Sequence, residues 1–504
     1  MKERRSIFLK GYSLPRSSSE SIYIELIIAQ EEQSLLSERS SRGSDNMTSN
    51  LPDPILQSFQ SLWISATNID FGPELASSRT PEEFVATVNH VLQNYKGEKL
   101  NRFRLFFCPL DMFLPDIENW IAFAVAKGVE ELELDLSMGS DPLTGEFTNG
   151  GHPFKLPDCL FKCRSLTNLS LSHCDFCPPP DFSGLNGLQS LSLSYVSIAD
   201  DMLHFMVANC PLLDSLSLKS CPSLNSIKVS GQDIQIQRLT VIECWNAWEM
   251  EICAPRLRSF IYYGEHIFGD SSPNIPSLED AFISSIDMES SEPEHDYIKL
   301  LFDLSHVKIF TVCTATLMRF TIYEESTPEY LPVLLPNLTE LQLLINLFRS
   351  EELAYVYGFF RLCQTPFIEK LFIQLPRIPE DPKDIRSVQE PSDITFNHLK
   401  AIKLSNFKGS MSEMRLVGFL LERSVVLDTM VLVAPPKADM KESINHEQYN
   451  SASEATSQGN VDLMVLRGQL SLLPKTFRAN IVLCEYLEDD KALTPKHTEY
   501  FSDF

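Results

Sequence analysis

Leu188-Gln189-Ser190-Leu191-Ser192-Leu193-Ser194 and Leu213-Asp214-Ser215-Leu216-Ser217-Leu218-Lys219 carry the pattern that decides the fold. Apolar residues stand at i, i+3 and i+5, the spacing of a short turn that enters a strand whose alternate side chains share one face. The triplet occurs eleven times. Its early copies are Val129/Leu132/Leu134, Leu166/Leu169/Leu171, Leu188/Leu191/Leu193, Leu213/Leu216/Leu218, Ile236/Leu239/Val241 and Leu257/Phe260/Tyr262. Later ones are Val307/Phe310/Val312, Leu338/Leu341/Leu343, Ile368/Leu371/Ile373, Leu399/Ile402/Leu404 and Leu427/Met430/Leu432.

The second to sixth triplets begin 22, 25, 23 and 21 residues apart, inside the leucine-rich-repeat period of roughly 20–29 residues. Later spacings stretch to 28–31, and the interval of 50 between Leu257 and Val307 leaves room for a degenerate unit at Leu278/Ala281/Ile283. One such strand cannot bury its apolar face alone, so neighbours must stack. The expected fold is therefore an α/β leucine-rich-repeat solenoid: a curved parallel sheet with helices and loops on its convex side, preceded by a short helical remnant. The 504 residues, 43% hydrophobic and 22% charged, can bury a core of that size.

Flanking segments differ in character. Residues 17–49 hold ten Ser and few aromatics and are expected to be disordered, within a leader at 1–46. Thr80 to Asn94 reads as a helix, with Thr80 as N-cap, Pro81 in the first turn and Phe84, Val88, Val91 and Leu92 on one face. Asp116 to Lys127 reads as another, capped by Asp116 and ended by Gly128. Pro376–Asp393 and Pro435–Asn460 read as surface loops. No Lys or Arg lies between Arg258 and Lys299, while Glu279, Asp280, Asp287, Glu289, Glu292, Glu294 and Asp296 crowd its second part. That stretch is either a solvated acidic loop or a meeting place for a basic tail.

The net charge of −26 repels phosphate backbones and anionic surfaces, so neither nucleic acid nor membrane is an expected partner. No apolar stretch reaches the length of a spanning helix, Lys10 and Glu25 interrupt the early apolar runs, and twelve Cys are scattered through the chain. The expected location is a reducing one, cytoplasmic or nuclear. Cys159-x3-Cys163 and Cys174-x2-Cys177, near His152 and His173, have zinc-like spacing, but they flank a repeat strand where small buried thiols serve packing, and no metal or cofactor is expected. His446-Glu447 lacks a second His at metalloprotease spacing, and neither G-x-S-x-G nor a phosphate-cradling loop occurs, so the chain is not expected to be an enzyme. Trp245 and Trp248 read as core or rim packing or, alternatively, as partner anchors.

Residues between the apolar anchors point to the other side of the sheet. Asn168, Ser170 and Ser172 should lie beside Ser190, Ser192 and Ser194, and then Ser215, Ser217 and Lys219, as a small polar stripe on the concave face. It is either a substrate groove that admits close backbone approach or a solvated surface.

Several phrases together resemble the plant F-box proteins with leucine-rich repeats and a C-terminal FBD domain, across roughly residues 46–487. Asn50-Leu51-Pro52-Asp53-Pro54-Ile55-Leu56 resembles the opening of an F-box, and Ser61-Leu62-Trp63 with Asn68-Ile69-Asp70-Phe71 its exit. Cys210-Pro211-Leu212-Leu213 to Leu218 with Cys221, and Ala254-Pro255-Arg256-Leu257, resemble the family's repeat phrasing. Leu399 to Leu404 with Phe407-Lys408-Gly409, then Leu416 to Arg423, resembles the FBD segment. The implied domains are a truncated F-box at 47–64, repeats at 65–395, FBD-like repeats at 396–487 with a loop at 435–460, and a tail at 488–504.

The resemblance implies a substrate-recognition subunit of an SCF-type cullin E3 ubiquitin ligase, with Leu51, Pro52, Ile55, Leu56, Leu62 and Trp63 meeting a Skp-type adaptor and the repeats holding an unknown protein substrate. Only five residues separate Leu56 from Leu62, where a complete F-box carries most of a helical bundle. A binding module or decoy without ligase recruitment, and a block of sequence missing through splicing or gene annotation, are the alternatives.

Overall fold

A computed structural model describes residues 66–141, 145–147, 152–179, 184–231, 233–265, 273–285, 297–326, 332–346, 348, 350–377, 388–436, 463–472, 479–486, 489 and 493–497. The leader, the segment 47–64 with the six residues expected to meet an adaptor, Asp287–Asp296 and most of the two long loops and tail lie outside them. The described chain forms two compact units that meet in sequence at Ala254 and Pro255.

The first unit contains seven parallel strands: β1 (Asn68–Phe71), β2 (Arg102–Phe106), β3 (Glu131–Asp135), β4 (Asn168–Ser172), β5 (Ser190–Ser194), β6 (Ser215–Lys219) and β7 (Arg238–Ile242). The second contains eight: β8 (Ser259–Gly264), β9 (Asp280–Ser285), β10 (Ile309–Cys313), β11 (Glu340–Leu344), β12 (Lys370–Gln374), β13 (Ala401–Ser405), β14 (Thr429–Val433) and β15 (Asn480–Cys484). One strand per repeat, each parallel to the next, is the leucine-rich-repeat arrangement. The degenerate unit at Leu278 supplies β9. Three further strands, β1, β2 and β15, lie outside the eleven triplets.

Register follows the triplets. Leu132, Leu169, Leu191, Leu216 and Leu239 stand opposite one another across β3 to β7, as do Leu134, Leu171, Leu193, Leu218 and Val241. The second unit repeats this with Phe260, Ala281, Phe310, Leu341, Leu371, Ile402 and Met430. All of these are buried. A forked hydrogen bond sets each strand's entry: the carbonyl of Thr167 accepts from the amides of Gln189 and Ser190, that of Gln189 from Asp214 and Ser215, and that of Asp214 from Gln237 and Arg238. The same fork runs from Arg258 through Glu279, Lys308, Thr339, Glu369 and Lys400 in the second unit. Within each unit it ties successive strands at the same step of the repeat, with a single bond from the Asn480 amide to the Asp428 carbonyl at β15.

Helices occupy some of the returns. α1 (Pro73–Ser77) and α2 (Pro81–Asn94) precede β2. Thr80 caps α2 as expected, and Glu83 reaches back to the Thr80 amide at 3.1 Å to complete a capping box. α3 (Leu114–Ala126) begins two residues before the expected Asp116 cap. Pro115, whose backbone is preset for a first helical turn, continues the tight turn Asp111–Phe113 and moves the start forward. Asp116 instead lies within that first turn, where its carboxylate accepts from Asn89 at 3.0 Å. Gly128, at φ +67, closes the helix by donating to the Val125 carbonyl.

In the second unit α5 (Tyr297–Asp303), α6 (Thr314–Ser326), α7 (Ser350–Leu362), α8 (Met411–Arg423) and α9 (Leu463–Ser471) fill returns, while α4 (Asp200–Asn209) does so in the first. Phe359 of α7 lies 6.5 Å from Phe310 of β10, and Tyr357 packs 4.8 Å from Phe419 of α8, so the helices cover the anchor side of the strands. In the FBD-like segment Glu413 of α8 is fully buried. Its carboxylate accepts from the amides of Lys408 and Ser410 and lies 3.3 Å from the Lys408 ammonium, a local reason for the Phe407-Lys408-Gly409 phrase.

Leu191→Asp places an unpaired carboxylate among the buried leucines and is expected to cost about 3–5 kcal/mol. Ser192→Ala, on the opposite side of the same strand, should stay within about 0.5 kcal/mol. Equal losses for both in denaturant titration would reverse the assignment of the two faces.

Candidate interaction face

The side of each strand opposite the leucines carries the candidate site. In the first unit, Asn168, Ser190 and Ser215 stand opposite one another, followed by Ser170, Ser192 and Ser217, and then Ser172, Ser194 and Lys219. Asn168 is exposed and the other eight are partly exposed. Strand pairing brings all nine together as three short rows about 4.8 Å apart from strand to strand. Hydroxyls this short leave the backbone within reach of another chain.

The rows continue into charge. Ser170 is followed by Glu133, Arg104 and Asp70 on β3, β2 and β1. Glu133 accepts from both Arg102 and Arg104 at 3.0 Å, and Arg104 also lies 3.6 Å from Asp70. Burial disfavours the Arg104 charge, but Glu133 and Asp70 outweigh it and hold the guanidinium above its ordinary pKa. This end of the face is a fixed, self-paired charge cluster, and the hydroxyl part lies beside it.

A second feature escaped the sequence reading. The residue directly after each of β4 to β7, namely His173, Tyr195, Ser220 and Glu243, takes a left-handed conformation with φ between 48 and 59. Each of the first three donates its amide to the last carbonyl of the next strand, to Ser194, Lys219 and Ile242. Their side chains consequently form a ridge along the strand exits. The His173 ring stacks on Tyr195 at 4.7 Å and meets the edge of Phe147, while Ser220 donates to Glu243 at 2.7 Å. Burial lowers the His173 pKa, with Asp135 opposing, and burial raises that of Tyr195.

The other candidates separate. Cys163 and Cys174 are buried, Cys159 is partly exposed and Cys177 is exposed. Burial pushes the Cys174 thiol well above its usual range. Among the described residues no group of His, Cys, Asp and Glu is placed to hold a metal. Trp245 is partly exposed, and Trp248, at 64% exposed, stands at the rim. No helix among the described residues is long and apolar enough to cross a membrane.

In the second unit the corresponding side is covered. Asp280, Thr311, Glu340, Gln342 and Lys403 point away from the apolar anchors, yet all are buried. Residues 489 and 493–497 of the same unit lie against them.

A family model described as the At1g61320/AtMIF1 LRR domain matches residues 91–461. The F-box/FBD/LRR-repeat protein At1g13570 of Arabidopsis thaliana is 25% identical over 384 residues, 73% of this chain and 82% of its own length. F-box/LRR-repeat protein 13 of the same plant is 26% identical over 72% of this chain and 80% of its own. The F-box protein At3g62230, also from Arabidopsis thaliana, is 24% identical over 68% and 75% respectively.

The strand-exit ridge generates a test. A left-handed backbone penalises any side chain by roughly 1–2 kcal/mol relative to glycine. Tyr195→Gly and Tyr195→Ala both lose the stacking on His173, but the glycine variant should be the more stable by about 1 kcal/mol. In an ordinary strand position the order is the reverse, so chemical denaturation of the pair decides.

Proposed function

The chain belongs to the At1g61320/AtMIF1 LRR-domain family, and from that membership we propose that it is a protein-recognition subunit of an SCF-type cullin ubiquitin ligase. The outward side chains of β4 to β6 hold the substrate. The observation that supports this most is the aligned register of nine small polar side chains beside a self-paired charge cluster. A protein segment can approach that backbone closely, and the neighbouring charges orient it without being consumed by it.

Ligase recruitment rests on the resemblance of residues 47–64 to an F-box and on the printed F-box names of the relatives. Leu51, Pro52, Ile55, Leu56, Leu62 and Trp63 would meet a Skp-type adaptor. The five-residue interval between Leu56 and Leu62 favours a second reading, a recognition module that holds its partner without delivering it to a ligase. Binding and presentation, with no chemical step by the chain's own residues, is the activity in both. A cytoplasmic or nuclear setting is part of the proposal and is supported by the scattered cysteines of the sequence.

Two measurements test these readings. Purified full-length protein should retain the Skp adaptor in a pull-down; substrate capture without adaptor would leave only the second reading. Ser192→Arg, which fills the middle of the stripe, should weaken capture of a partner identified by cross-linking by about tenfold or more, with the melting temperature unchanged. Capture at wild-type strength would remove the stripe as the binding face.

A further inference from the structure

Residues 493–497 cross the side of β9 to β11 that faces away from the core. The His497 ring approaches Thr311 of β10 with its Nδ1 at 2.7 Å and Asp280 of β9 with its Nε2 at 3.2 Å. The Thr311 hydroxyl donates to the Gln342 side-chain carbonyl, and the Gln342 amide donates to Glu340, so the direction of the whole network is set. Thr311 has only one hydrogen and gives it to Gln342; toward His497 it can only accept. Asp280 also accepts. Both ring nitrogens thus face oxygen acceptors, one hydroxyl and one carboxylate.

The main chain is read as well. The Lys496 amide donates to the Glu340 carboxylate at 3.0 Å and the His497 amide to Gln342 at 3.4 Å. Upstream, the buried Lys403 ammonium of β13 donates to Asp489 at 2.8 Å and to the Leu493 carbonyl at 3.0 Å. Phe282 of β9 meets the edge of the His497 ring at 5.8 Å. Two carboxylates and an ammonium thus sit at buried outward positions, each turned to a specific group of a short segment that ends its described part in a turn at Lys496 and His497.

This contact is unlike the core. It is held by charge-assisted hydrogen bonds and one ring edge, where the opposite side of the same strands is mostly apolar, with Ser285 of β9 bonded to Thr316. Polar contacts of this kind fix identity and register strongly but contribute little net stability, because each group released from them regains water. Such a segment is exchangeable in a way that a buried leucine is not.

We propose that the outward face of β9 to β13 is a recognition site for a short peptide containing a basic residue followed by His, and that residues 493–497 occupy it as an intramolecular ligand. The proposal deepens the recognition reading and rests on it for the idea that strand faces bind protein segments. A partner segment of the same chemistry enters only by displacing the resident one. Tethering gives that resident an effective concentration of about a millimolar, so competition in trans is weak until the tether's contacts are loosened.

The test uses the full chain and a labelled peptide amide of residues 493–497, Leu-Thr-Pro-Lys-His. Fluorescence anisotropy should show saturable binding to the variant D489A/H497A and binding at least about tenfold weaker to the wild type. A peptide with Ala in place of its His should bind neither. Equal binding to both proteins, or none to a folded variant, overturns the proposal.

Should the variant fail to fold, the wild type alone decides. The Lys496 and His497 amides should exchange hydrogen at least about tenfold slower than an unstructured chain, and excess unlabelled peptide should accelerate them. Exchange at the unstructured rate, or no response to the peptide, overturns it equally. These outcomes are read on β9 to β13, whereas partner capture by the β4 to β6 stripe is read on other strands, so either idea can fail alone.

Discussion

Everything in this protein depends on the shared register of its parallel strands. A strand alternates its side chains with a period of two, so a slip of one residue between neighbours would turn every leucine outward and every serine inward. The forked hydrogen bond that recurs at strand entries within each unit opposes that slip from the backbone side: one carbonyl accepts two successive amides of the following repeat. The apolar anchors oppose it from the core, since Leu191 finds Leu169 on one side and Leu216 on the other. Backbone and side chains therefore specify the same alignment, and their agreement gives a repeat array one structure.

Because register is common to all repeats, the chemistry of the outward side is written in rows across strands. In the first unit those rows hold Asn, Ser and one Lys next to an Arg–Glu–Asp cluster that pairs within itself. In the second the corresponding rows hold Asp, Thr, Glu, Gln and Lys whose polar groups reach across to residues 489 and 493–497. The same scaffold thus presents one outward surface of short, partly exposed hydroxyls and another whose polar groups are already engaged. The difference lies wholly in side chains that leave the apolar rows unchanged.

How much of this could be read from the chain alone follows from what each feature requires. Triplets such as Leu188/Leu191/Leu193 are local and apolar, so their spacing announces the strands, their direction and the face they bury. β2 was missed although Leu100, Phe103 and Leu105 obey the same spacing as the eleven triplets. β15 is an edge strand with only Cys484 fully buried, and a half-exposed strand carries a weaker apolar signal. The cap of α3 was misplaced because Asp116 can serve either as a cap or as a first-turn carboxylate, and only Pro115 with the preceding tight turn settles which.

The strand-exit ridge and the covering segment were illegible for a deeper reason. Left-handed positions usually declare themselves as Gly or Asn, and among those directly after a strand only Asn406, after β13, does so; His173, Tyr195, Ser220 and Glu243 share no residue type. What they share is a hydrogen bond to the next strand, a relation between repeats that no single window contains. The contact of His497 with Asp280 spans 217 residues, and neither side chain carries a pattern around it that names the other. Short-range periodicity can thus specify a repeat scaffold almost completely while leaving silent the polar, long-range contacts made across its outward side.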